Sequence, residues 1–414
     1  MKTKNLLTRI SASALFAAAA LLPAALTSCS SDSEPAPNPD PIPEGMARLN
    51  LSFSAPEIST RGTANLTDDE KTVSSVWVYF FKKNDSGTFV KEAAFAINST
   101  TDGTTDSATG ATFSNIETIN QAPDDYQPVV TGMNIAAGTY HVYVLANMDN
   151  YYDDFLDPAN ETAFLAESFT SGTQITNSEL PMAADKTALT VSGDGVSYSS
   201  TGTYAGDIVI TSGQVDVKAD LTILCSKVRY TIFFDNTAPT GTTSAGFSYP
   251  IQSLEVTSLK LNKANSVTPL FTATPESLGS TDNIPLDAQA VEYPTDFAAW
   301  TGGDQFGADL TDTEATTTGK IAYQGTLYLT ENLESANDNK TQLSLSASLD
   351  AGKDTATTPT YTIYLPNSKN TGGEANTLTR GCFYDVMGKI TSQGMAFEVR
   401  IKPWSKVVTD YHPL

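Results

Sequence analysis

What most constrains this chain is the length and spacing of its apolar runs. Short stretches of β-branched and aromatic residues, Val76–Phe81 (VWVYFF), Tyr140–Leu145 (YHVYVL), Asp207–Thr211, Leu221–Phe234 and Leu343–Leu349, are separated by segments dense in Gly, Ser, Thr, Asn and Asp. Runs of this kind, bounded by turn formers, suit strands. Helical spacing is confined to Asp68–Val73, Tyr151–Glu167 and Ala288–Trp300, each read as a short helix. Many short strands bury their apolar faces by stacking sheets, so the expected fold is all-β with minor helix, built as two tandem β-sandwiches. The 414 residues are enough for two domains. They are placed at 62–212 and 213–414, divided near the turn-rich SGDGVSYSSTGTYAG.

The first residues address the chain to the cell envelope. Lys2, Lys4 and Arg9 precede the apolar run Ala12–Leu26, which is too short for a comfortable membrane span and has the form of a signal peptide over residues 1–28. The run ends Leu26, Thr27, Ser28, Cys29, the pattern of a bacterial lipobox whose cysteine takes a lipid. The alternative is ordinary signal cleavage near Ala25 with Cys29 left free. Residues 29–48 read as a lipidated tether, because SSDSEPAPNPDPIPEG is rich in proline and acid and has no apolar periodicity. Extended at about 3.1 Å per residue, that spacer reaches roughly 50 Å and holds the folded body clear of the outer membrane.

A strand follows the tether at once. In ARLNLSFSA, Leu49, Leu51, Phe53 and Ala55 alternate with polar residues, the pattern of a strand with one buried face. Directly behind it, Pro56 and the run Ser59, Thr60, Arg61, Gly62 form an open, protease-accessible site. Residues 49–61 thus read as a well-made strand with a cut site beside it.

Composition excludes several roles. The formal net charge is −23, and residues 1–61 are themselves balanced, so the acidity belongs to the folded part. Such a surface argues against binding nucleic acid. His141 sits inside a strand-like run and His412 near the C-terminus, and no nucleophile–histidine pattern, CxxC, HExxH or phosphate loop is present. The chain is therefore read as a non-enzyme without cofactor, metal or catalytic residues. The carboxylates at Asp68, Asp69 and Glu70, and at Asp149, Asp153, Asp154 and Asp157, lack the spacing of a calcium loop and read as solvated faces. Trp77 and Trp404 flank apolar strands and read as core, whereas Trp300 has a loop-like setting suited to a glycan. Cys225 and Cys382 either pair or are buried separately.

The order of features resembles the fimbrillin superfamily, the type V pilins of Gram-negative anaerobes. The likeness runs from lipobox, spacer and alternating strand through TRGT and VWVYFF to Ala137-Gly138-Thr139-Tyr140 and Val144-Leu145-Ala146-Asn147. It continues at Leu180-Pro181-Met182, Leu221–Tyr230, Leu327–Asn332, Phe383–Val386 and Val399–Trp404. The resemblance implies transthyretin-like sandwiches and an outer-membrane lipoprotein precursor. It further implies an arginine- or lysine-specific protease that cuts between Arg61 and Gly62 and so removes the first strand; Arg48 is the runner-up, and a cut there preserves the strand. Copies of the chain and other pilin subunits would then join by head-to-tail strand exchange into an adhesive fimbria that contacts host or bacterial surfaces. The candidate donor is the C-terminal segment Phe397–Leu414, where Phe397, Val399 and Ile401 alternate and Trp404, Val407, Val408 and Tyr411 follow; the alternative is a last core strand over 397–404 with a frayed tail. Two other roles share most of these features: a surface glycan-binding lipoprotein, and an anchor or tip pilin that does not polymerise.

Overall fold

The computed structural model describes residues 41–54, 68–101, 103–114, 126–170, 175, 179–197, 206–235, 254–271, 280–281, 284–285, 289–292, 319–333, 339–350, 352, 356–365, 377–391 and 394–403. Its first half contains β1 (Met46–Ser54), β2 (Ser75–Lys83), β3 (Phe89–Asn98), β4 (Thr112–Phe113), β5 (Gln127–Ala136) and β6 (Gly138–Ala146). These are followed by β7 (Ser168–Thr170), β8 (Met182–Ala184), β9 (Leu189–Ser192), β10 (Ile208–Ile210), β11 (Gly213–Asp220) and β12 (Thr222–Ile223). One sheet runs β4-β5-β1-β11-β9 and the other β12-β8-β6-β2-β3, with β10 added beside β6. Leu49, Leu51 and Phe53 from β1, Val215 and Val217 from β11, and Val78, Phe80, Val142 and Val144 from β2 and β6 form one core between the two sheets. That is the expected sandwich.

Why β1 alternates and β2 does not follows from what covers each sheet. The outer face of the β1 sheet carries Arg48, Asn50 and Ser52, all partly exposed. The β2–β6 sheet is covered on both faces. Its second face presents Trp77, Tyr79, Phe81, Tyr143 and Leu145 to Phe164, Phe169 and Leu270, an aromatic layer of its own. A strand buried on both sides reads as a continuous apolar run, which is the VWVYFF pattern. Tyr79 stacks on Phe155 at 5.4 Å, and Trp77 meets the same ring edge-on at 5.2 Å.

Strands of the second half are β13 (Ser226–Asp235), β14 (Leu254–Asn262), β15 (Ala264–Asn265), β16 (Val267–Pro269), β17 (Ser280–Thr281) and β18 (Ile284–Pro285). They continue as β19 (Gln289–Glu292), β20 (Gly319–Leu329), β21 (Gln342–Leu349), β22 (Thr360–Tyr364), β23 (Cys382–Thr391) and β24 (Gly394–Pro403). The sheets are β19-β20-β13-β23-β24 and β18-β14-β21-β22. Val228, Tyr230, Leu261, Leu343, Leu345 and Val386 fill the space between them.

Three expectations from sequence change here. The division at Gly213 cuts into the first sheet: β11 pairs with β1 and β9, and β12 pairs with β8, so strand pairing carries the first sandwich through Ile223. The described residues flanking the turn-rich segment, 192–197 and 206–210, belong to the same sandwich. Of Tyr151–Glu167, only α2 (Glu161–Leu165) is helical, after a shorter α1 (Asp68–Lys71) earlier in the chain. Pro158 lacks the N–H that a continuous helix needs. The preceding residues instead lie irregularly over the aromatic layer, where the Tyr79 hydroxyl donates to the Leu156 carbonyl at 3.1 Å. Asn160 caps α2 by accepting from the Ala163 N–H at 2.9 Å. Within Ala288–Trp300, Gln289–Glu292 is a strand on the open edge of β20, and residues 293–300 lie outside the described residues. A short apolar run fits either period, and the open ladder decides.

Candidate functional site

Strand β1 lies in the interior of its sheet. Along one side it pairs antiparallel with β5, and along the other it runs parallel to β11 from Ala47 opposite Gly213 to Ser54 opposite Asp220. Neither wall is close in sequence: Asn50 and Asp216 are 166 residues apart. Ala47, Leu49, Leu51 and Phe53 are 0% exposed. At about 1.5–3 kcal/mol each, the three large side chains contribute roughly 5–8 kcal/mol before any ladder bonds are counted. The strand enters over a tight turn, where Met46 N–H meets the Pro43 carbonyl at 3.1 Å and the Gly45 carbonyl takes the Ala137 N–H at 3.0 Å.

The walls also meet over the outer face of β1. Asn50 takes the Gly132 N–H of β5 on Oδ1 at 3.0 Å and donates from Nδ2 to Asp216 Oδ1 of β11 at 2.9 Å. At the far end the Tyr126 hydroxyl, beside the start of β5, donates to Asp220, whose Oδ1 also takes the Ser54 hydroxyl at 3.5 Å. Lys218 Nζ sits 4.9 Å from the centre of the Tyr126 ring. Sequence reading missed Asn50, Gly132, Asp216 and Tyr126. An asparagine on the wet face of an alternating strand carries no local signal of a cross-wall bond.

Of the site residues expected from sequence, Leu49, Leu51 and Phe53 are brought together in the slot. Cys29, Ala55, Arg61, Gly62, Trp300, Trp404, Val407, Val408 and Tyr411 lie outside the described residues. Residues 394–403 form β24, an edge strand paired with β23, which leaves only the residues after Pro403 as a tail. Cys225 is buried and Cys382 half-buried, and no disulfide joins them. The Gly381 N–H bonds the Cys225 carbonyl at 2.8 Å, yet the Cys225 side chain joins the first core while Cys382 packs on the second. Burial pushes the Cys225 thiol well above its ordinary value.

Directly after the expected cut site, α1 is tied to the second sandwich. Glu70 is fully buried and accepts from Lys227 of β13 and the Tyr328 hydroxyl of β20. Burial, followed by the bond to Glu70, pushes the Tyr328 hydroxyl far up, so it remains a donor. A second joint is formed by β7 pairing with β16, by Leu270 N–H on the Glu167 carbonyl at 3.1 Å, and by Arg380 reaching Glu331 and the Leu270 carbonyl.

His141 has no catalytic setting. It is 4% exposed, stacks on Phe89 at 3.6 Å, and places its two ring nitrogens on Glu161 and Asp207, with Lys186 Nζ 3.3 Å from Nδ1. Burial works against the charge on Glu161, but hydrogen bonds from His141 and Tyr143 and the charges of His141 and Lys186 outweigh it and hold this carboxyl low. Burial likewise opposes the Asp207 charge, and His141 and Lys83 hold it low. Among the described residues no group of three or more His, Cys, Asp or Glu is placed to hold a metal, and no helix is long and apolar enough to cross a membrane.

The fold is similar to that of other solved structures. A candidate cell adhesion protein from Parabacteroides distasonis ATCC 8503 superposes with a TM-score of 0.52 at 13% identity, over 87% of this chain and 98% of its own. Another from Bacteroides eggerthii DSM 20697 gives 0.48 at 14% identity, over 88% and 97%. The tip fimbrial protein Mfa3 from Porphyromonas gingivalis gives 0.43 at 14%, over 87% and 100%. No curated protein matches the sequence. Residues 47–220 match the family of the major fimbrial subunit protein (FimA), the span from the start of β1 to the end of β11. The match covers less than half of the chain, and over that span the chain is similar to the fimbrial subunit family. That match supports a pilin or cell-adhesion role.

Proposed function

We propose that this chain is the precursor of a polymerising pilin whose β1 is a removable occupant of the first sheet. It is exported, lipidated at Cys29 and carried to the outer membrane, where an arginine-specific protease cuts after Arg61. The observation that carries this reading is the placement of β1. Both of its ladders run to strands remote in sequence, and its chain continues into the segment bearing Arg61. Cutting that segment severs no hairpin.

A cut alone does not empty the slot. An interior strand with four buried side chains stays bound until another strand competes for the same two ladders, and an open slot with unpaired edges is a template for such a strand. When the competitor comes from the next subunit, the contact is head-to-tail and propagates. The α1 anchor on Lys227 and Tyr328 keeps the new N-terminal segment on the body while β1 departs. The residues after Pro403 are the proposed donor.

Incubation of purified precursor with trypsin at low dose tests this. The expected result is loss of residues 1–61 together with growth of an SDS-resistant ladder, both abolished by Arg61→Gln. Clean cleavage of a chain that stays monomeric at high concentration would instead support an anchor or tip subunit. Deleting Ser405–Leu414 is expected to give cleaved, folded monomer, and normal assembly of that truncation would remove the tail from the mechanism.

A further inference from the structure

Alternation leaves the register of β1 undecided. A slip by one residue turns Leu49, Leu51 and Phe53 outward and is excluded by their burial. A slip by two residues keeps the same face inward and satisfies the pattern equally well. Some other feature has to choose among the even registers.

That feature is on the outer face. Strand β5 places Met133 opposite Leu49 and Val130 opposite Leu51, so Thr131 and Gly132 together face the single residue Asn50. This is a bulge, and Gly132 adopts the left-handed φ of 70° that glycine tolerates there. Its N–H bonds Asn50 Oδ1, and the same side chain donates to Asp216 on the opposite wall. A backbone donor on one side and a carboxylate on the other admit a carboxamide in one orientation. Leucine supplies neither bond, and aspartate sets a like charge against Asp216. A two-residue slip brings Arg48 or Ser52 to the bulge instead.

We propose that Asn50 is the register key of the slot. It fixes β1 at one even register, and a strand that replaces β1 is selected for a carboxamide between its second and third inward apolar side chains. The selectivity half rests on the strand-release reading above, and the register half does not. Residues 404–414, WSKVVTDYHPL, contain neither Asn nor Gln. A strand from the tail of an identical copy therefore binds without the key, and a pilin strand of different sequence that carries it is preferred.

The register half is tested on the uncleaved chain by amide hydrogen exchange at Gly132. Asn50→Leu and Asn50→Asp are expected to speed that exchange about tenfold or more. Combining Asn50→Asp with Asp216→Asn is expected to restore protection, because the carboxylate then accepts from Gly132 and from the new amide. Unchanged protection in the single variants, or no rescue in the double, overturns the proposal. The selectivity half uses the chain cut after Arg61 with β1 still seated, challenged by labelled peptides of residues 46–54. The natural peptide is expected to exchange in, and its Asn50→Leu form and a 404–414 peptide to compete about tenfold less well. Equal competition by these peptides overturns selectivity and leaves strand release standing. Failure of the natural peptide to enter overturns strand release and with it the selectivity half, and the Gly132 measurement still decides the register half.

Discussion

Strands β1 and β13 occupy the same position in their two sandwiches. Each is the first long strand of its domain and lies inside its sheet, with an antiparallel neighbour on one side, β5 or β20, and a parallel one on the other, β11 or β23. Each buries an alternating apolar face completely. They differ in how they are held beyond that face. At β13, Ser226 donates to the Leu329 carbonyl at 3.1 Å, Lys227 pairs with buried Glu70, and the Tyr230 ring lies over Gly325. The chain also reaches β13 directly from β12. At β1 the ties are Asn50, Ser54 and the ladders. Burial makes both strands necessary to the fold, and under the proposed strand release it is attachment at the ends that distinguishes them.

The largest effect expected is from a charge in the middle of each strand. Ile232→Asp in β13 should abolish soluble folding before and after processing, a loss on the order of 4–5 kcal/mol. Leu51→Asp should unfold the first sandwich of the precursor by a similar amount. A processed subunit already filled by a donor strand no longer contains residue 51, so chains carrying Leu51→Asp that do reach the filament should melt like wild type in calorimetry. Equal damage in the filament would end the distinction.

Next is Lys227→Met, which removes the ion pair between Lys227 and the buried Glu70 and should cost about 3–5 kcal/mol in urea unfolding. Gly325→Ala should cost roughly 1–3 kcal/mol, because the added Cβ falls 2.2 Å from the Tyr230 hydroxyl oxygen; Tyr230→Leu in the same chain should recover part of it.

A smaller effect separates the sandwiches by pH. Glu161 and Asp207 lie on the first sandwich, with folded values depressed below the ordinary carboxylate range. Their contribution is complete above the unfolded values near 4 and is lost as pH falls through the folded ones. Acid should therefore weaken the first sandwich through this cluster, and His141→Ala should flatten that dependence in a pH series of thermal melts. The smallest effect is Lys91→Ala, which removes a surface pair with Asp157 and should change stability by about 1 kcal/mol or less.

The long strands and the burial of Leu49, Leu51 and Phe53 were legible because period-2 patterning is a local signal. The parallel pairing of β1 with β11 was not, since nothing within a strand states which remote strand will lie beside it. That single pairing moved the domain boundary past Gly213. Tyr151–Glu167 looked helical because Tyr151, Tyr152, Phe155 and Leu156 are apolar at helical spacing. Those side chains are instead the lid of an aromatic layer on the far face of β2 and β6, a tertiary demand invisible in the segment itself. Glu70 was read as part of a solvated acidic face and is a buried joint between domains, because its partners Lys227 and Tyr328 are far along the chain.

The parallel pair also governs when β1 can fold. It is the first strand to be synthesised, yet Gly132 is 82 residues further on and Asp216 is 166. Until both have emerged, this amphipathic segment has no ladder to join. Contacts this distant close slowly, so docking of β1 is expected to be the last and slowest step of precursor folding. With the export and lipidation proposed above, envelope chaperones would meet that segment unprotected, and the anchor would hold it at the membrane while it waits.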